Sequence, residues 1–150
     1  MKNFAIILAG CGVYDGSEIH EAVMTMYAVS KNGAEYRIFA PDIAQHHVVN
    51  HLTGAEMHET RNVLVESARI ARGKIQPLNK LDLRDFDALI FPGGFGVAKN
   101  LCSYAFKGPD CDVQPQVARV LRDAMSKCKP IGALCISPVL LAKIVGNATI

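Results

Sequence analysis

The chain has 150 residues, of which half are hydrophobic and 20% are charged, and its formal net charge is +2. This length and composition predict one folded domain over residues 1–150 and exclude a disordered chain. Charges of both signs are interspersed along the chain, which argues against a nucleic-acid partner. No run approaches the roughly 18 apolar residues that a membrane span needs, so we also expect no membrane partner.

The first third of the chain alternates strand-like and helix-like runs. Phe4–Leu8 is a continuous apolar run, which is typical of a buried parallel strand. Apolar residues at helical spacing then predict a helix over 19–29, capped by Asp15 or Ser17. Tyr36–Ala40 is predicted as the second strand.

The middle of the chain begins with its least regular segment. Residues 43–60 are predicted to form a loop with a short hairpin, because turn formers interrupt every apolar run there. Helical spacing returns over 64–71. Ala88–Phe91 is a third predicted strand, and it leads directly into Gly93 and Gly94.

The last third repeats the alternation. Helical spacing resumes over 117–125, with Pro115 in the first turn. Ile131–Leu134 is predicted as a strand and Pro138–Ile144 as a helix. This alternation is typical of a parallel sheet covered by helices on both faces. Residues 146–150 look like the opening of another strand, so we expect a C-terminal part to be missing.

Cys135 lies at the junction of the last predicted strand and the last predicted helix. The turn resembles a nucleophile elbow, in which the residues two before and two after the nucleophile must be small, and here they are Ala133 and Ser137. Unpaired N–H groups at the start of the helix favour a thiolate and, chiefly through Ile136, can hold an oxyanion. The alternative is that Cys135 is a small apolar core residue.

Two further elements are predicted at the same carboxyl edge of the sheet. The N–H group of Gly93 or of Gly94 is a candidate second oxyanion donor. Glu18 and Glu21 open the first helix, where one is expected only to complement the helix dipole. A carboxyl group packed beside a thiolate is pushed to its protonated form and can then shuttle a proton. The sequence does not choose between the two glutamates.

No cofactor or metal site is predicted. The spacing Gly10-x-Gly12-x-x-x-Gly16 differs from the dinucleotide-binding pattern G-x-G-x-x-G. Four histidines match no metal-ligand spacing and are expected on a surface loop: His46, His47, His51 and His58.

The compartment is predicted from the start of the chain and from its cysteines. The apolar run Phe4–Ala9 is too short for the core of a signal peptide. The five cysteines are an odd number and form no metal-type C-x-x-C pair, which favours free thiols. We therefore expect a reducing, cytoplasmic location.

Five stretches of the chain resemble one family. They are GCGVYDGSEIHE at 10–21, NHLTG at 50–54, ETRN at 59–62, PGGFGVAKN at 92–100 and CISP at 135–138. In these stretches the chain is similar to the ElbB-like glyoxalases of the PfpI-like, class I glutamine amidotransferase-like superfamily. The likeness runs from residue 1 to about residue 145 without large gaps.

The resemblance implies a three-layer α/β/α sandwich with a mainly parallel, flavodoxin-like sheet, and it implies a homodimer. It also implies a nucleophilic Cys135 and conversion of glyoxal to glycolate without a cofactor. The family's Glu-x-x-Glu matches Glu18 and Glu21, and the second glutamate commonly faces the sulfur. Relatives that hydrolyse amides need a histidine base, often directly after the cysteine, where this chain has Ile136.

Three functional hypotheses follow. The leading one is a glyoxalase that acts on small 2-oxoaldehydes through a hemithioacetal of Cys135. The second is a non-enzymatic redox sensor or holdase whose Cys135 thiol is oxidised. The third is an amidotransferase-type glutaminase subunit, which needs a downstream histidine that these 150 residues do not contain.

Overall fold

A computed structural model describes residues 1–146. The strand expected to open at 146–150 lies, apart from Gly146, outside the described residues. Five parallel strands form one sheet in the order β3-β2-β1-β4-β5. The strands are β1 (Asn3–Ile7), β2 (Glu35–Ala40), β3 (Ile75–Pro77), β4 (Ala88–Phe91) and β5 (Ile131–Ala133).

Helices cover both faces of this sheet. They are α1 (Ile19–Lys31), α2 (Val63–Ala71), the one-turn α3 (Tyr104–Lys107), α4 (Pro115–Ser126) and α5 (Pro138–Val145). A short π-helical segment, Val97–Leu101, precedes α3. Among residues 1–146, no helix combines the length and apolarity that a bilayer crossing requires.

The central strand β1 divides the core into two halves. Ala5 and Ile7 pack in one buried cluster with residues of α4 and α5. Ile6 and Leu8 pack in the other with residues of α1 and α2. Successive side chains of a strand point to opposite faces, so a continuous apolar run supplies both halves. The predicted three-layer α/β/α fold is confirmed.

One strand was missed by the sequence analysis. β3 has three residues and ends in Pro77, so it shows neither an apolar run nor an alternation. It pairs only with β2 and lies at the edge of the sheet, where a proline is tolerated because one side of the strand needs no N–H donor.

The predicted cap of α1 is wrong. Glu18 is the cap, because its extended backbone places its side chain to accept a hydrogen bond from the N–H of Glu21. Ser17 instead accepts from the N–H of Ala9 at 2.8 Å. The buried Asp15 accepts from the N–H of Val49 at 2.7 Å and so holds the 43–60 segment against the loop after β1.

Candidate active site

Cys135 follows β5 and has a left-handed backbone conformation, with φ 54°. This conformation costs a residue with a side chain about 1 kcal/mol, so the neighbours must hold it. Leu134 donates from its N–H to the carbonyl of Phe91 at 3.0 Å, and Ser137 donates from Oγ to the carbonyl of Pro92 at 2.9 Å. The turn is thus fastened on both sides to the end of β4, and the Cys135 side chain is left exposed rather than in the core.

Glu21 lies beside this cysteine across Gly93. A Cβ atom on Gly93 would lie 2.4 Å from Cβ of Cys135, 3.1 Å from its Sγ, and 2.7 Å from Oε2 of Glu21. The same Oε2 accepts a hydrogen bond from the N–H of Gly93 at 2.7 Å. The sulfur and the carboxyl group are therefore neighbours, and the missing side chain of Gly93 is what lets them approach.

Glu18 has a different position, although it is only three residues away. Its Oε2 accepts from the N–H of Glu21 at 2.7 Å, and its Oε1 lies 2.8 Å from Nδ1 of His20. The hydrogen bond with His20 is the main cause that lowers the pKa of Glu18 below 4.5. Both carboxyl oxygens are thus used at the start of α1, and it is Glu21 that the structure brings next to Cys135.

The three candidate oxyanion donors differ in whether their N–H group already has an acceptor. The N–H of Gly93 already donates to Glu21, whereas within residues 1–146 no acceptor is found for the N–H of Gly94 or Ile136. Gly94 has φ 104°, and a Cβ there would lie 2.4 Å from the backbone nitrogen of Glu18. Only glycine fits this position. Of the three candidate amides, those of Gly94 and Ile136 are the two for which no acceptor is found within residues 1–146.

Asn100 is a residue of this region that the sequence analysis missed. It is buried, and its Nδ2 donates to the carbonyls of Ala9 at 2.9 Å and Asp15 at 3.0 Å. Its Oδ1 accepts from the N–H of His46 at 2.9 Å. Asn100 therefore ties the loops after β1 and β2 to the segment that follows Gly93. An asparagine in an irregular run carries no local signal for this role.

Three further side chains that could take part in chemistry have other surroundings: His20, His51 and Cys11. The side chain of His20 is 91% exposed, and the ring of His51 stacks on Tyr14 with centroids 4.8 Å apart. Burial, followed by the charge of Glu66, raises the pKa of the Cys11 thiol. No group of three or more metal-binding side chains is arranged around a common point within residues 1–146.

The fold is a parallel α/β sandwich, and an exposed cysteine lies on its strand-to-helix elbow beside a carboxyl group and candidate amide donors. These features define a class of proteins with a candidate cysteine nucleophile. Relatives place the chain within that class. The chain aligns with the crystal structure of an isoprenoid biosynthesis protein with amidotransferase-like domain from Ehrlichia chaffeensis at a TM-score of 0.91 and 42% identity, over 98% of this chain and 70% of that one.

Two curated relatives are each 55% identical to it. They are the "ES1 protein homolog, mitochondrial" of Rattus norvegicus, over 94% of this chain, and the "Glutamine amidotransferase-like class 1 domain-containing protein 3, mitochondrial" of Homo sapiens, over 93%. The chain covers 53% of each, so it spans about half the length of these relatives. No family model matches the chain.

The chain belongs to the class I glutamine amidotransferase-like superfamily, in the family of isoprenoid biosynthesis proteins with an amidotransferase-like domain. The predicted superfamily is therefore confirmed. The predicted cytoplasmic location is contradicted, because the rat and human relatives are both named mitochondrial. Free thiols distinguish a reducing compartment from export, and they do not distinguish the cytoplasm from a mitochondrion.

Proposed function

We propose that the chain is a glyoxalase that converts glyoxal to glycolate, with Cys135 as nucleophile and Glu21 as proton shuttle. The observation that carries the proposal is the shared contact on Gly93. The sulfur of Cys135 and Oε2 of Glu21 both lie within 3.1 Å of the position of a Cβ on that glycine. A nucleophile and an acid–base group are thus side by side at an exposed turn.

The reaction balances without an outside oxidant. The thiolate of Cys135 adds to one aldehyde carbon, so a C–S bond forms, the C=O double bond opens, and the oxygen takes a proton to give a hemithioacetal. Glu21 removes the proton from that carbon and returns it to the neighbouring carbon through an enediol. The first carbon is oxidised to a thioester while the second is reduced to an alcohol. Water then cleaves the thioester, releasing glycolate and the thiol.

Two amides support the charged intermediates. Among the described residues, 1–146, the N–H groups of Gly94 and Ile136 have no acceptor, and such donors stabilise an oxygen on which negative charge develops. Glu21 keeps its orientation because Gly93 donates to one of its oxygens. Its second oxygen is left to carry the proton.

The test is glycolate formation from glyoxal by variants of the full chain. Cys135→Ala is expected to lower turnover by at least about 10³-fold, because no covalent step remains. Glu21→Gln keeps an oxygen for the N–H of Gly93 but cannot move the proton, and it is expected to lower turnover by about 10²-fold.

Cys128→Ala is the matched control, since Cys128 is also exposed and also left-handed in its backbone. It is expected to keep the rate of the wild type. Undiminished turnover in Cys135→Ala overturns the proposal. Intact mass after separate exposure to glyoxal and to peroxide distinguishes the redox-sensor hypothesis, which requires Cys135 to be oxidised while no glycolate forms.

A further inference from the structure

An apolar cleft opens beside the candidate active site. Its volume is about 450 Å³, and Tyr14, Phe95, Lys99, Tyr104 and Ile136 are among its lining residues. Among the described residues that line it, Lys99 alone is charged. A cleft of this size and polarity suits the apolar part of a small ligand.

This cleft borders the elbow at Ile136. Phe95 directly follows Gly94, and Ile136 directly follows Cys135. Both lining residues therefore come one position after a residue of the candidate site. Ile136 therefore links the cleft to the turn that carries Cys135.

The aromatic residues of the cleft are exposed, and the backbone of two of them is anchored by hydrogen bonds. Tyr14, Phe95 and Tyr104 are 42%, 48% and 37% exposed. The N–H of Tyr14 donates to Nε2 of His51 at 3.2 Å while the two rings stack, and the N–H of Phe95 donates to the carbonyl of Val13 at 2.8 Å. Stacking on His51 orders the ring of Tyr14, so a ring of a ligand can cover it without much further ordering of the protein.

We propose that this cleft binds the aromatic substituent of an aryl 2-oxoaldehyde, whose aldehyde carbon is attacked by Cys135. The substrate class rests on the proposed function. Glyoxal has no substituent and leaves the cleft unfilled. With an aryl substrate the same steps apply: the proton leaves the aldehyde carbon and returns to the aryl-bearing carbon, and water releases an aryl 2-hydroxy acid.

The first experiment compares phenylglyoxal with glyoxal by measuring mandelate and glycolate. The wild-type kcat/KM is expected to be about tenfold higher for phenylglyoxal, as is typical for a small group filling an apolar pocket. Phe95→Ala is expected to remove most of the preference for phenylglyoxal, so that its kcat/KM falls close to that for glyoxal. Tyr27→Ala is the control, because Tyr27 is an exposed ring that lines a different groove, between α1 and α2, and it should keep the ratio. A wild-type ratio of one or less, or an unchanged ratio in Phe95→Ala, overturns the inference.

The second experiment separates the cleft from the chemistry. 4-Fluorobenzyl alcohol carries the ring but no reactive carbonyl, and its binding is followed by fluorine NMR. Binding is expected in the wild type and in Cys135→Ala, and it should weaken about tenfold in Phe95→Ala. Binding without turnover of either aldehyde means that the proposed function fails and the aryl site stands. Cys135-dependent turnover of glyoxal without binding of the ring means that the inference alone fails.

Discussion

Cys135 and Cys128 lie at opposite ends of β5 and share two properties. Both are exposed, and both have a left-handed backbone, with φ 54° and 51°. Their surroundings differ. Cys128 follows the carboxyl end of α4 and donates from its N–H to the carbonyl of Met125 at 3.0 Å, whereas Cys135 precedes the amino end of α5 and lies beside Glu21.

The comparison shows that neither exposure nor an unusual φ makes a candidate nucleophile. Carbonyls at the end of a helix repel a negative sulfur, and N–H groups at the start of a helix attract one. The order of the strands in the sheet explains why Glu21 and Gly93 lie near Cys135. β1 and β4 are neighbours at its centre, so the segments after both strands meet at the carboxyl edge where Cys135 emerges.

Among the predictions that follow from this comparison, the largest change in activity is expected from a side chain placed at Gly93, between Cys135 and Glu21. Within residues 1–146, Cys128 has no such neighbouring carboxyl group across a glycine. Gly93→Ala places a Cβ 2.4 Å from Cβ of Cys135 and 2.7 Å from Oε2 of Glu21, so both groups must move. Displacement of reacting groups by about 1 Å is expected to lower kcat/KM for glyoxal by about 10²-fold.

Gly132→Ala is the control for this substitution. A Cβ at Gly132, on β5, would meet the side chain of Ile90 at 3.6 Å and the carbonyl of Leu89 at 3.8 Å, which are ordinary contacts. Circular dichroism of both variants checks that they fold. Equal activity in the two variants would show that the approach of sulfur and carboxyl across Gly93 has no role.

The sheet and the elbow were predictable because their signals are local. The apolar run at Phe4 and the small residues Ala133 and Ser137 around Cys135 are visible in a single stretch of sequence. The partner of the cysteine was not predictable in the same way. Glu18 and Glu21 are equivalent by residue type and spacing, and only the capping geometry of α1 separates them.

The cleft was missed for a related reason. Tyr14 is distant in sequence from Phe95 and Tyr104, and each of the three alone is an ordinary exposed aromatic residue. Packing of the loops through the buried Asn100 brings these segments together, and a hydrogen-bonding network across three loops leaves no periodic pattern in the chain.

A second prediction tests the difference between the two exposed cysteines without any assumption about substrate. Iodoacetamide is expected to alkylate Cys135 about tenfold faster than Cys128 at pH 7, because Cys135 precedes the amino end of a helix and Cys128 follows the carboxyl end of one. Peptide mass spectrometry gives both rates in one sample. Cys102 is the internal control, because burial raises the pKa of its thiol to about 11 and it should react only after unfolding. Equal rates at Cys135 and Cys128 would mean that the start of α5 contributes nothing.

The smallest effect is expected at Glu18, and it separates this glutamate from Glu21. The hydrogen bond with His20 lowers the pKa of Glu18 in the folded state. A carboxyl group of this kind stabilises the fold above its unfolded pKa, and that stabilisation is lost as the pH falls through the folded pKa. Glu18→Gln keeps a capping oxygen but no charge, so it should lower the free energy of unfolding by about 0.5 kcal/mol at pH 6 and by less at pH 3.

Urea denaturation at the two pH values measures this difference, with Glu35→Gln as the control for loss of an exposed carboxylate at the start of β2. Because Glu18 acts at the start of α1 and Glu21 at the sulfur, Glu18→Gln is expected to change stability much more than turnover, and Glu21→Gln the reverse. A Glu18 variant that loses as much stability at pH 3 as at pH 6 would contradict the capping role of its charge. A large loss of turnover in Glu18→Gln would mean that the charge of Glu18 also influences the reaction at the Cys135 sulfur.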